Sequence, residues 1–205
     1  MKEQEKPINI ALVGLGGQGI ITLAKLIANS AIKAGKHVCY NEIHGLSQRG
    51  GSVQSLVRLN DERNPVFAAE DVDIVIGLEK LETLRYLYSA NNAKPRVIIS
   101  DYYEIRQTAY FGYEKFPEEE EIDQEIKKHA SELYVFDAEK FAKFFSNRFK
   151  PYNVGIFSAI IDLDLLKIPT NIAEEEVKRK LGRTIFLKRL NLKAFKEGKK
   201  CLKKI

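Results

Sequence analysis

Two glycine-bearing segments of this chain combine residue types that suit the holding of anions. Gly14-Leu15-Gly16-Gly17-Gln18-Gly19 fits GxGxxG and falls between an apolar run, Ile8 to Val13, and a stretch of helical periodicity. There Gly14, Gly16, Gly17 and Gly19 let the backbone turn tightly and approach a ligand. Gln18 adds an amide, and the helix start beyond offers free N–H groups to a phosphate. A dinucleotide also calls for an acid after the second strand, to hold its ribose, and Glu42 stands 23 residues beyond Gly19, near the usual spacing of about 20. The alternative is a turn that only permits close helix–strand packing, and both readings stay open. The second segment is His44-Gly45-Leu46-Ser47-Gln48-Arg49-Gly50-Gly51-Ser52. Arg49 can clamp an anion, the N–H groups around Gly50 and Gly51 can form an anion nest, and His44, Ser47 and Gln48 add hydrogen-bonding groups. The plain alternative is a tight loop with Arg49 in an ordinary ion pair. Glu79, at the end of a later apolar run, either faces the same site or favours the N-terminus of its own helix. No catalytic residue is assigned. His37, His44 and His129 lack metal-ligand spacing, and no Ser-His-Asp or Cys-His order is visible.

The elements that must position these residues follow from periodicity. Ile8 to Val13 reads as a buried strand. Ile20, Leu23, Ala24, Ile27, Ala28 and Ala31 share one helical face, and Gly35 ends that helix. His37 to Asn41 is a second strand, so the segment of residues 44–52 is expected at a carboxyl edge beside the first turn, where ligands bind in a doubly wound sheet. Ser52 to Leu59 alternates like a half-exposed, antiparallel strand. Val72 to Leu78 is a further strand. A helix over Glu79 to Ala90 follows, with Leu81, Leu84, Leu87 and Tyr88 inward. Strands follow at Arg96 to Ser100 and Leu133 to Phe136. Between them lie an aromatic-rich extended segment, Tyr102 to Phe116, and a helix opened by Pro117 near its first position and Glu118 to Glu121. Helices are expected over Ala138 to Phe145, Val154 to Leu166, Ile172 to Leu181 and Asn191 to Lys204. The fold class is α/β: a doubly wound, mostly parallel Rossmann-like sheet, helices on both faces and a helical C-terminal tail. Residues 1–205 read as one domain, with 170–205 a helical, basic extension.

Composition narrows the classes. Hydrophobic residues at 44% against 30% charged argue for a globular chain. No apolar run approaches the roughly 18–20 residues a membrane helix needs, and Met1 to Pro7 lacks the apolar core of a signal peptide, so a cytoplasmic location is expected. Cys39 and Cys201 form no CxxC pair and give no case for a zinc site or an iron–sulfur cluster held by this chain alone. From Lys178 onward there are twelve Lys/Arg and one Glu, a net of +11 against +5 for the whole chain, so the first 177 residues carry −6. That asymmetry suggests an acidic partner surface or nucleic acid, or simply a solvated helix face. Phe186 and Phe195 alone interleave with the tail, which weighs against a nucleic-acid stacking surface.

The runs GLGGQGI, NEIHGLSQRGGSVQSLVRL and DVDIVIGLEKLETLR together resemble the gamma-type domain of 2-oxoacid:ferredoxin oxidoreductases. The resemblance covers most of the chain and is weakest between Tyr102 and Lys150. The late run Asn191 to Gly198 is similar to the end of the indolepyruvate type of the family. The resemblance implies one subunit of an enzyme that decarboxylates arylpyruvates oxidatively, forming the acyl-CoA and reducing ferredoxin. It implies a large alpha subunit as partner, holding thiamine diphosphate, magnesium and 4Fe-4S clusters, and a chain inactive alone that contacts coenzyme A at most. Within the family, pyruvate, 2-oxoglutarate and branched-chain 2-oxoacid types are the alternatives. Outside it, the alternative is a free-standing nucleotide-binding regulatory module.

Overall fold

A computed structural model describes residues 6–44, 51–61, 63–91, 93–102, 117–145 and 151–205. Ser47 to Gly50 and nearly all of the aromatic segment Tyr102 to Phe116 lie outside them. The strands are β1 (Ile8–Leu15), β2 (Val38–His44), β3 (Ser52–Leu59), β4 (Ile74–Gly77), β5 (Arg96–Ser100), β6 (Glu132–Phe136) and β7 (Leu202–Lys204). They form one sheet in the order β2-β3-β1-β4-β5-β6-β7. Strands β1, β4, β5 and β6 run parallel, while β3 is antiparallel to both its neighbours and β7 is antiparallel to β6.

Side chains alternate across these strands, so each strand supplies two cores. Ile10 and Leu12 of β1, Ile76 of β4 and Ile98 of β5 face α1 (Ile20–Lys33), α5 (Tyr152–Asp162), α6 (Thr170–Leu181) and α7 (Ile185–Gly198). Ala11 and Val13, Val75, and Val97 and Ile99 face α2 (Lys80–Ser89) and α3 (Glu119–His129). Both faces being covered explains why the central strands read as continuous apolar runs. α4 (Ala138–Ala142) follows β6 directly. On the first face, Glu176 of α6 is fully buried and joins Lys33 of α1 at 2.8 Å to Arg179 at 2.7 Å. On the second, the nearly buried Lys80 of α2 reaches Glu119 and Asp123 of α3, both at 2.7 Å.

Helix α1 ends as the sequence suggests. Gly35 has φ +83°, with Gly35 N–H donating to Ile32 O and Lys36 N–H to Ala31 O, the paired bonds of a left-handed helix stop. Several expectations need correction. β3 is antiparallel but not half-exposed; it is sandwiched between β2 and β1, and Val53, Ser55, Leu56, Val57 and Leu59 are all buried. Tyr88 is 55% exposed, and Tyr86 points inward instead. Pro117 precedes α3 by two residues instead of opening it, and Glu118 N–H donates to the Glu121 carboxylate. Two helices end early: α4 stops at Ala142, short of Phe145, and α5 at Asp162, short of Leu166. The tail is not helical to its end: α7 stops at Gly198, a 3-10 turn covers Lys199–Cys201, and Leu202–Lys204 pair with β6. The tail is also bound into the body. Lys199, Lys203 and Lys204 pair with Asp162, Asp137 and Glu132 of the body, while Lys178, Arg179 and Lys200 pair with glutamates of the tail itself.

Candidate functional site

The antiparallel insertion of β3 sets the geometry of the carboxyl edge. Because β3 pairs with β1 from Leu15↔Ser52 and with β2 to His44↔Val53, the ends of β1 and β2 and the start of β3 stand side by side. Gly51, which follows the Ser47–Gly50 stretch, therefore lies beside the Gly14–Gly19 turn, and His44 lies on the same edge beyond β3. A backbone bond joins the two segments directly: Gly16 N–H donates to Gly51 O at 2.8 Å.

The turn is held from within. Gln18 folds back so that its Oε1 accepts from Leu15 N–H at 2.8 Å, while Gln18 N–H donates to Leu15 O at 3.2 Å. A Cβ at Gly14 would lie 2.6 Å from that Oε1, which explains glycine there. Gly17 and Gly19 adopt φ +98° and +88°, a region open to glycine at little cost. A Cβ at Gly19 would also lie 2.7 Å from Asn153 Nδ2, so α5 packs against the turn. The N–H groups of Gly16 and Gln18 are thus used inside the protein. What faces outward is the exposed Gly17 and the first turn of α1, which has no side-chain cap.

Glu42 sits within β2, which β3 separates from β1 by two strand spacings, roughly 9–10 Å. Its carboxylate binds Lys25 of α1 at 2.8 Å and accepts from Tyr40 Oη. Burial, then the hydrogen bond to Glu42, pushes the Tyr40 phenol well above its usual range. A dinucleotide arrangement needs that acid on the strand next to β1, and this sheet puts it elsewhere. Glu79 follows β4 on the same edge as the turn. It is 1% exposed and caps α2, its carboxylate accepting from Glu82 N–H at 2.8 Å and its carbonyl from Thr83 Oγ1 at 2.6 Å.

Sequence reasoning missed a cleft of about 240 Å³ on this edge, mostly apolar. It is lined by Gln18 of the turn, Leu78 after β4, Ser100 ending β5, Tyr102, Ala138 after β6, and Tyr152 and Ile156 of α5. These residues follow successive parallel strands, the position where open α/β sheets bind ligands. The one sequence signal was the helix expected over Val154 to Leu166, which supplies α5. Beside the cleft, Asp101 accepts from Ala138 N–H at 2.9 Å, and burial is the first of the causes that raise its carboxyl above the usual value. Burial, with Asp101 nearby, also raises the Tyr152 phenol. Among the described residues no group of three His, Cys, Asp or Glu side chains is placed to hold a metal ion. Nor do the two cysteines, one half-buried and one buried, supply the four thiolates of an iron–sulfur cluster. The site offers an apolar cleft, a buttressed turn and backbone N–H groups, which is equipment for docking.

The profile of the pyruvate ferredoxin/flavodoxin oxidoreductase family matches residues 9–201. The chain belongs to that family. Among curated relatives, "Indolepyruvate oxidoreductase subunit IorB" of Archaeoglobus fulgidus is 33% identical over 191 residues, covering 93% of each chain. The protein of the same name from Pyrococcus horikoshii is 31% identical, covering 98% of each. Among solved structures, the pyruvate oxidoreductase subunit PORC of Thermotoga maritima superposes with a TM-score of 0.70 at 17% identity, over 98% of this chain and 99% of that one. A 2-oxoglutarate:ferredoxin oxidoreductase from Magnetococcus marinus gives a TM-score of 0.68 at 22% identity, over 96% of this chain but 31% of that one. The fold is thus shared over nearly the whole chain.

Proposed function

We propose that this chain is the non-cofactor-bearing subunit of a 2-oxoacid:ferredoxin oxidoreductase of the indolepyruvate type, inactive until it joins a large alpha subunit in the cytoplasm. The near end-to-end correspondence with proteins named as indolepyruvate oxidoreductase subunits carries this reading. In the assembled enzyme the partner supplies the thiamine diphosphate, magnesium and 4Fe-4S clusters, and so the decarboxylation and electron transfer to ferredoxin. The present chain contributes a wall. Its Gly14–Gly19 turn and Ser47–Gly51 segment meet the partner and contact the phosphates of coenzyme A, with His44 and Glu42 at the rim, while the buried Glu79 holds the start of α2 behind them. Sequence matches to pyruvate and branched-chain oxidoreductase subunits extend over only part of the chain, for example 27% of it at 38% identity in Thermococcus kodakarensis, and this favours the arylpyruvate type.

Co-expression with a large iron–sulfur subunit tests the assignment. The expected result is a brown complex that reduces ferredoxin with indolepyruvate and coenzyme A, and neither chain active alone. A complex that turns over pyruvate but no arylpyruvate would refute the substrate class. In that complex Arg49→Ala should raise the coenzyme A requirement or weaken assembly, and unchanged kinetics and assembly would remove the role given to its segment.

A further inference from the structure

On the α1 side of the turn lies a second cavity, of about 380 Å³. Its polar lining includes Thr22, Lys25, Asn153, Asn191, Lys180 and Arg183, and no carboxylate lines it among the described residues. Lys25 is already paired with Glu42. Lys180 and Arg183 differ from the six tail cations that pair within the chain, for they have no carboxylate partner among the described residues. Three helices also start at this cavity: Thr22 is the third residue of α1, Asn153 the second of α5 and Leu187 the third of α7. α1 carries no side-chain cap, and on α5 Asn153 Oδ1 accepts from Val154 N–H at 3.0 Å, which leaves the Asn153 Nδ2 to donate. The opposing helix end is covered, since Asn191 Nδ2 donates to Leu181 O at 3.1 Å where α6 finishes. Free cations, a threonine hydroxyl and an asparagine amide thus surround a space large enough for a small organic phosphate, with a positive field from the helix starts.

We infer that this cavity, between α1, α5, α6 and α7, binds the phosphate or diphosphate group of a small molecule through Lys180 and Arg183. The inference concerns the isolated chain and goes beyond the assignment above. It is tested by calorimetric titration of the full chain with pyrophosphate, and separately with inorganic phosphate and AMP. Saturable binding of pyrophosphate is expected. Lys180→Ala and Arg183→Ala should each weaken it roughly tenfold, the loss of one charge-assisted hydrogen bond. Tighter binding of AMP than of inorganic phosphate would identify a nucleotide as the source, and equal binding a free phosphate. A control variant, Lys143→Ala with Lys167→Ala, removes two distant charges and should leave binding intact; an equal loss there would mean diffuse attraction and overturn the site. No saturable binding of pyrophosphate would overturn it too, as would a cation pair needed only to retain the large subunit.

Discussion

Gln18 offers the sharpest test of how the glycine turn is held. Its Oε1 is the acceptor for Leu15 N–H, and Leu15 is 8% exposed at the end of a central strand. Replacing Gln18 by alanine leaves that donor with neither the amide nor free access to water. A buried donor left unpaired costs about 1–3 kcal/mol. The side chain is itself half-buried, so lost packing adds little. For a domain of this size each kcal/mol moves Tm by roughly 2–4 °C, so a cost of about 2 kcal/mol lowers Tm by roughly 4–8 °C. Gln18→Glu keeps an oxygen in place and should recover most of the loss. Thermal melts of the isolated chain, followed by circular dichroism, measure both variants. An alanine variant melting within about 1 °C of the parent would show that the turn does not depend on this bond, and the reasoning would fail.

Three further outcomes are expected. Gly198→Ala places a Cβ 2.1 Å from Gly155 O, forcing α7 off α5, and should cost about 1–3 kcal/mol by urea unfolding; an unchanged midpoint would mean the crossing relaxes freely. Removing residues 202–205 uncovers the edge of β6 and deletes the Lys203–Asp137 and Lys204–Glu132 pairs, so the shortened chain should self-associate in light scattering, and a monodisperse monomer would contradict this. Burial raises the Asp101 carboxyl, opposed by Ala138 N–H and Lys80, so the folded state favours its protonated form. Its contribution is therefore full below the unfolded value of about 4 and falls as pH rises through the folded value; the stability of the parent relative to Asp101→Asn should drop across that interval, and a difference flat with pH would sink the argument.

How much of this was legible depended on whether a feature is local. The span and stop of α1 were readable because Leu23, Ile27 and Ala31 repeat at helical spacing and Gly35 takes a positive φ. The glycine turn was readable for the same reason. The insertion of β3 between β1 and β2 was not, because strand order is set by pairing between distant segments, and it moved Glu42 away from the place expected of a ribose-binding acid. β7 was hidden because Leu202-Lys203-Lys204 has the composition of a solvated tail; its ladder with β6 and two ion pairs hold it. The cleft was hidden because Ser100, Ala138 and Tyr152 meet only after the parallel strands align. Tyr86 and Tyr88 show the limit within a helix: two neighbouring tyrosines are equally apolar on paper, and packing decides which one is covered.

The route of the chain through β2 and β3 separates two jobs that a parallel crossover would have merged. The far end of the β2–β3 hairpin is tied down by Asn60 N–H donating to His37 O at 2.7 Å. The pairing of Val38 with Leu59 and of Leu59 with Ile8 thus sits at the end of the ladder remote from the short stretch that joins β2 to β3. The frame is left indifferent to whatever chemistry that short stretch is asked to meet.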